Sequence, residues 1–267
     1  MRWPHPTLTT ALGACVVAVV SGEGRLWAAD ALAWEIHKSD HFIVYSREAP
    51  DGYIEGLIAR AEAYYDDITG RLGFTRFDGF WTWDQRARIY LYRDRQEYQD
   101  TTRQPEWSEA GSDVREREIH TYVGMAEFYE KVLPHELGHI IFREFIGYQR
   151  VLPLWLDEGI ACFLEDKGNP TRLMSAKALV TTERFIPFET LADLGGEGLG
   201  DAEAFYAEAA SVFEFLFQRY GGEKFVDYCR RLRDKQNWEA ALKKVYGFES
   251  LSAMNAQWVA FLKEDAP

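Results

Sequence analysis

Cysteine is scarce in this chain, three residues in 267, so covalent cross-linking is capped at one disulfide. Cys15 falls in an N-terminal apolar segment, which leaves Cys162 and Cys229 as the pair to consider. Both sit in apolar helical patterns, "GIACFLE" and "FVDYCRRL", where a thiol serves as a small buried hydrophobe, and that reading is favoured over a bridge. Membrane-length apolar runs are lacking as well. "ALGACVVAVV", Ala11 to Val20, is too short to span a bilayer comfortably. Preceded by Arg2 and followed by small residues, it matches the core of a secretory signal. Residues 1–28 are therefore expected to be a signal peptide, cut after Gly22, Gly24 or, by preference, Ala28. Lipidation at Cys15 and an uncleaved anchor are weaker alternatives. The expected location is outside the cytoplasm, in a periplasm or the extracellular space.

Positive charge is in deficit. Lys and Arg number 30 against 43 Asp and Glu, a formal net charge of −13 with a pI near 5.0. Nucleic acid or an anionic membrane surface would be repelled, which leaves small molecules, peptides and proteins as partners. The chain also lacks internal repeats, low-complexity tracts and long Pro- or Ser-rich linkers. With 47% hydrophobic and 27% charged residues, residues 29–267 are expected to fold as one domain, a strand-rich lobe over 29–124 and a helical lobe over 125–267.

What is present fits an α+β plan. His41–Ser46, Arg86–Arg93 and Arg117–Val123 are β-branched and aromatic runs with near-alternation and read as strands. Between the first two, "GYIEGLIARAEAYYDDITGRLG" has apolar residues at helical spacing and a stop at Gly70 or Gly73. After Met125 the pattern is helix and loop. "AFYAEAASVFEFLFQRYGG", "KFVDYCRRLRD", "WEAALKKVYG" and "LSAMNAQWVAFLKED" each predict a helix. Strands first and helices after define the class.

Within the helical part, "VLPHELGH" places His135 and His139 four residues apart, on one helix face, able to aim two imidazole nitrogens at one ion. Glu136 is turned from them by about 100°, beside an ion and not on it, where a general base belongs. Pro134 either opens this helix or kinks one that starts near Ala126, and Gly138 leaves space for a second backbone. Two histidines cannot complete a tetrahedral site, and the H-E-x-x-H string recurs in unrelated proteins. Glu158 therefore carries the argument. It lies in "LPLWLDEGIACFLED", on a second amphipathic helix, and completes a two-His, one-Glu set with a fourth position for solvent.

"HELGH" followed by "WLDEGIA" resembles the gluzincin zinc metallopeptidases, in particular the peptidase MA-like branch related to the aminopeptidases and thermolysin. The likeness is sharp over Val132–Asp166 and looser elsewhere. It implies a thermolysin-like catalytic domain, a small mixed-sheet lobe followed by a helical lobe. Carried over by position, it implies that His135, His139 and Glu158 bind Zn2+ and that Glu136 activates water. It further implies that Glu165 hydrogen-bonds a zinc-bound histidine and that Tyr206 donates to the oxyanion. The expected activity is hydrolysis of peptide bonds in a peptide or protein substrate. The amine-holding "GAMEN" loop of the aminopeptidase relatives has no true copy, since "GMAEF" at Gly124–Phe128 lies too near the zinc helix. An endopeptidase or protein-processing enzyme is thus favoured over an aminopeptidase. A secreted binding or scaffold module with a structural or vestigial zinc is the reading from another class.

Three further histidines stand outside this set. His120, on the strand before the zinc helix, touches substrate if that strand is the sheet edge on which an extended peptide pairs. The simpler reading of His120, and of His37 and His41, is a half-buried structural histidine.

Overall fold

Alternation of side chains builds the first half of the molecule. A computed structural model describes residues 33–73, 85–104, 108–148, 151–165, 171–195 and 200–264, so the expected signal over 1–28 lies outside the described residues. Five strands form one sheet in the order β1-β2-β3-β5-β4: β1 Glu35–Lys38, β2 Phe42–Ser46, β3 Ala87–Tyr92, β4 Gly111–Asp113 and β5 Glu118–Tyr122. β2, β3 and β5 run parallel, while β1 and β4 lie antiparallel on the two sides. Phe42, Val44, Ile89, Leu91 and Ile119 point to one face and are fully buried. Helix α1, Tyr53–Leu72, connects β2 to β3, packs on β2, and ends where Gly73 adopts φ 63° and donates to Gly70 and Thr69 carbonyls.

The opposite face carries Tyr45, Tyr90 and His120, paired in register across three strands and stacked with centroids 4.8 and 4.7 Å apart, the strand spacing itself. Tyr92 Oη and Glu118 take up the two ring nitrogens of His120. It is half-buried, as are His37, near Ser46 and Glu35, and His41, held by Glu62 at 2.6 Å.

The alternative in which the strand of His120 is the free sheet edge holds only in part. β4 pairs with it over Glu118–His120, so the edge passes to β4 there, and only Thr121 and Tyr122 reach beyond the bridge. Three residues, "GSD", carry too little alternation to announce a strand. Helix α2, Arg95–Thr102, was also unheralded. Its eight residues are polar except for the buried Tyr98, and it is recognisable only by Asp94, whose side chain accepts from the Glu97 amide as an N-cap.

The second half is helical. α3 spans Leu133–Ile146, α4 Leu154–Glu165, α5 Thr171–Thr181, α6 Phe188–Asp193, α7 Ala202–Tyr220, α8 Gly222–Arg233, α9 Trp238–Tyr246 and α10 Leu251–Lys263. Sheet first and helices after is the α+β architecture expected. A π-helical turn, Phe128–Val132, runs directly into α3, with Leu133 N–H donating to Phe128 O. Pro134 lacks the N–H that would continue the tighter ladder, and a widened turn upstream is consistent with that gap.

Two glycines set how closely the central helices approach. A Cβ on Gly138 of α3 would lie 3.3 Å from Ala161 Cα and 3.0 Å from Leu164 Cδ1, both on α4. On Gly159 of α4 it would lie 2.7 Å from Ala209 O and 2.9 Å from Ala209 C, the backbone of α7. Helices α3, α4 and α7 are thus stacked at near backbone contact, with α4 between the other two. Cys162 and Cys229 are buried thiols and form no disulfide. Among the described residues, no helix is long and apolar enough to cross a membrane.

Candidate metal centre

The interface between α3 and α4 is apolar except along one stripe. On α3, His135 and His139 are one turn apart, and their Nε2 atoms face one another at 3.2 Å. Glu158, on the facing side of α4, puts Oε2 3.7 Å from each of those nitrogens. All three residues are at most 4% exposed. Among the described residues Glu158 Oε2 has no hydrogen-bond partner, an orphaned acceptor in the interior. Three ligand atoms around a tetrahedral ion with bonds near 2.0–2.1 Å would be separated by roughly 3.3 Å. The observed 3.2 and 3.7 Å bracket that value, so the donor set fits a small divalent cation in both chemistry and spacing.

Each histidine has its far nitrogen next to a carboxylate. His135 Nδ1 is 3.1 Å from Glu165 Oε2, and Arg172 on α5 donates to the same oxygen at 2.7 Å. Burial alone would raise the Glu165 pKa, but the His135 hydrogen bond and the Arg172 charge hold it below the usual carboxylate range. His139 Nδ1 sits 3.6 Å from Asp157 Oδ1, an ion-pair distance just beyond hydrogen bonding. Arg143 grips that carboxylate in a fork, Nε to Oδ1 at 3.0 Å and Nη2 to Oδ2 at 2.7 Å. Burial would raise the Asp157 pKa, but His139 and Arg143 hold it far below normal.

The charges in this enclosure act on one another. Burial raises the Glu158 pKa against the two histidines, which lower it. Burial works to lower that of His139, yet the carboxylates of Glu158, Asp157 and Glu136 overcome it and push it up to about 9. Glu136 thus feels the same enclosure as the ligand trio. It is 1% exposed, and its Oε2 has no hydrogen-bond partner among the described residues.

The residues singled out from the sequence fall as follows. His135, His139, Glu158 and Glu165 converge, and Glu136 lies in the same electrostatic environment. Tyr206, buried on α7, stands one turn before Ala209, where α7 touches the glycine next to Glu158. His120 belongs to the outer face of the sheet. Sequence reasoning missed Asp157 and Arg143, although a signal existed: Asp157 adjoins Glu158, and Arg143 follows His139 by four residues on one helix face. It missed Arg172 too, which arrives from a separate helix with no spacing rule to announce it.

The chain belongs to the Peptidase MA superfamily, whose family model matches residues 81–264. That stretch takes in β3, β4, β5 and every helix from α2 onward, including the whole histidine and carboxylate cluster. Comparison with curated proteins gives no match.

Proposed function

We propose that the chain is a zinc-dependent peptide hydrolase of the gluzincin type, acting as an endopeptidase or protein-processing enzyme. In this reading His135, His139 and Glu158 hold the ion, Glu136 is the general base, Glu165 orients His135, and Tyr206 is the oxyanion donor. The observation that carries it is the convergence of two Nε2 atoms and one orphaned carboxylate oxygen from separate helices, 3.2 to 3.7 Å apart.

When bound, zinc supplies a Lewis acid that polarises the scissile carbonyl and lowers the pKa of water to about 7. The chain does the rest. Among the described residues Glu136 Oε2 has no hydrogen-bond partner, which leaves a lone pair able to take a proton from water and pass it to the leaving amine. Glu165 keeps a proton on His135 Nδ1, which leaves the Nε2 lone pair facing His139 and Glu158. Asp157, anchored by Arg143, stands 3.6 Å from His139 Nδ1 and favours a proton on that nitrogen by its charge alone. A phenol from Tyr206 aimed at the oxygen that gains charge would be worth about 3 kcal/mol, by analogy with oxyanion-hole deletions.

The endopeptidase mode is supported by the want of an amine-holding loop, since "GMAEF" runs straight into the π turn before α3. The partner is then a peptide or protein. Export from the cytoplasm rests on residues 1–28 alone.

The test is metal content of the purified protein measured together with cleavage of a mixed peptide library. The expected result is one zinc per chain and internal cleavage that chelation removes and zinc restores. Glu136→Gln should keep the metal and lose at least ~100-fold in turnover, the usual range for a general base. Stoichiometric zinc without cleavage would make the chain a binding module, and stepwise removal of N-terminal residues would make it an aminopeptidase.

A further inference from the structure

Helix α4 presents Glu158, Cys162 and Glu165 at spacings of four and three, one stripe facing α3. The His135 ring lies against that stripe and has two nitrogens. Nε2 faces His139 and Glu158, whereas Nδ1 lies 3.1 Å from Glu165 Oε2 and 4.0 Å from Cys162 Sγ. One imidazole is therefore shared by two donor sets. The first, His135, His139 and Glu158, is all nitrogen and oxygen. The second, His135, Cys162 and Glu165, contains a sulfur, and its donor atoms also lie within 4.8 Å of one another. Cys162 and His135 are buried, and Glu165 is nearly so, with 13% of its side chain exposed.

We propose that this second set is a binding site for a thiophilic cation such as Cd2+, lying behind the candidate zinc centre and competing with it for His135. Ligand softness separates the two. A thiolate prefers soft cations, while imidazole and carboxylate alone suit borderline and hard ones. Binding releases the thiol proton to solvent and shifts the ring proton of His135 from Nδ1 to Nε2, which denies that nitrogen to an ion in the first set, and Glu165 exchanges its bond from that ring for the cation. The Arg172 guanidinium, 2.7 Å from Glu165 Oε2, opposes the incoming charge and confines the site to ions that gain strongly from sulfur. A cation there takes away the orienting hydrogen bond between His135 and Glu165. Soft-metal inhibition would then act from behind the ring. The site stands on the placement of Cys162 and Glu165 and does not need the peptidase reading to be right, although the inhibition does.

The experiment adds Cd2+ to the full-length protein, metal-free and then zinc-loaded, and follows the ultraviolet thiolate-to-cadmium charge-transfer band. The band should appear in wild type, vanish in Cys162→Ser and in Cys162→Ala, and persist in Cys229→Ser. Glu158→Gln, which cripples the first donor set and leaves the second intact, should retain it. Circular dichroism checks that each variant is folded, and the two replacements of Cys162 guard against one that is not. Cadmium bound by wild type without the band, a band surviving both Cys162 variants, or its loss in Glu158→Gln would each overturn the proposal. A protein that shows the band in wild type and Glu158→Gln but cleaves no peptide would fail as a peptidase and still hold the thiophilic site.

Discussion

Replacing Gly159 by alanine tests the helix stacking on which the centre depends. In most helices Gly→Ala stabilises, because alanine has the higher propensity by up to about 1 kcal/mol. At Gly159 the new Cβ would stand 2.7 Å from Ala209 O, 2.9 Å from Ala209 C and 3.0 Å from Phe213 Cδ2. Ordinary contacts are several tenths of an ångström longer, and two of the three atoms are backbone in the middle of α7, which cannot rotate aside. Helices α4 and α7 must separate, and overpacking of this kind costs about 1–3 kcal/mol. Set against a propensity gain of about 1 kcal/mol, the net expectation is a loss of up to about 2 kcal/mol, or up to about 8 °C in melting temperature for a domain of this size. Gly56 is the control. It lies in α1 with nothing within 4 Å of its would-be Cβ, so Gly56→Ala should stabilise by about 0.5–1 kcal/mol. Urea unfolding of the chelator-treated protein, read by circular dichroism, should move the two midpoints in opposite directions at unchanged slope. Because Glu158 adjoins Gly159, the same variant should also bind zinc more weakly in a chelator competition. If Gly159→Ala proved as stabilising as Gly56→Ala, α4 and α7 would not be in backbone contact and the stacking argument would fall.

Other outcomes follow from neighbouring features. Asp157→Asn keeps the shape beside His139 but removes the charge that Arg143 grips, and should weaken zinc binding about 10–100-fold in a chelator competition while the fold is retained. Arg172→Met should act on His135 through Glu165 in the same direction and more weakly, read by the same titration. Glu208 is buried on α7 and accepts from the Ile186 amide at 3.0 Å; burial pushes its pKa from 4.5 up to about 7. The folded state holds that proton more tightly than the unfolded chain, so this group's contribution to stability is complete below pH 4.5 and is lost as pH rises through about 7. Glu208→Gln should therefore be more stable than wild type at pH 8, by an amount on the order of 1–3 kcal/mol, with the advantage shrinking towards pH 4.5 in paired denaturation curves.

Much of this molecule is legible where residues repeat with a period. β2, β3 and β5 alternate, α1 ends at a glycine in the left-handed region, and the strings around His135 and Glu158 fix which side chains share a helix face. β1, β4 and α2 are short or polar, and their existence depends on neighbours supplied by the rest of the fold. The sheet edge could not be read for that reason, since three residues without a pattern suffice to cover most of β5. At the centre, spacing put His135 and His139 on one helix face and nominated Glu158 from a second helix. Arg172 comes from another helix, and Cys162 was read as plain core because nothing local says that it abuts a histidine.

The pairing of Asp157 with Arg143 and of Glu165 with Arg172 bears on which ions this interior can tolerate. Four carboxylates, Glu136, Asp157, Glu158 and Glu165, gather around two guanidiniums and two imidazoles. With the imidazoles neutral, as metal ligation requires, two negative charges among these described groups are left without compensation in a place that solvent scarcely reaches. A monovalent guest would leave half of that imbalance and a trivalent one would reverse its sign, whereas a dication restores neutrality. Valence, before size or hardness, is the first filter this enclosure applies.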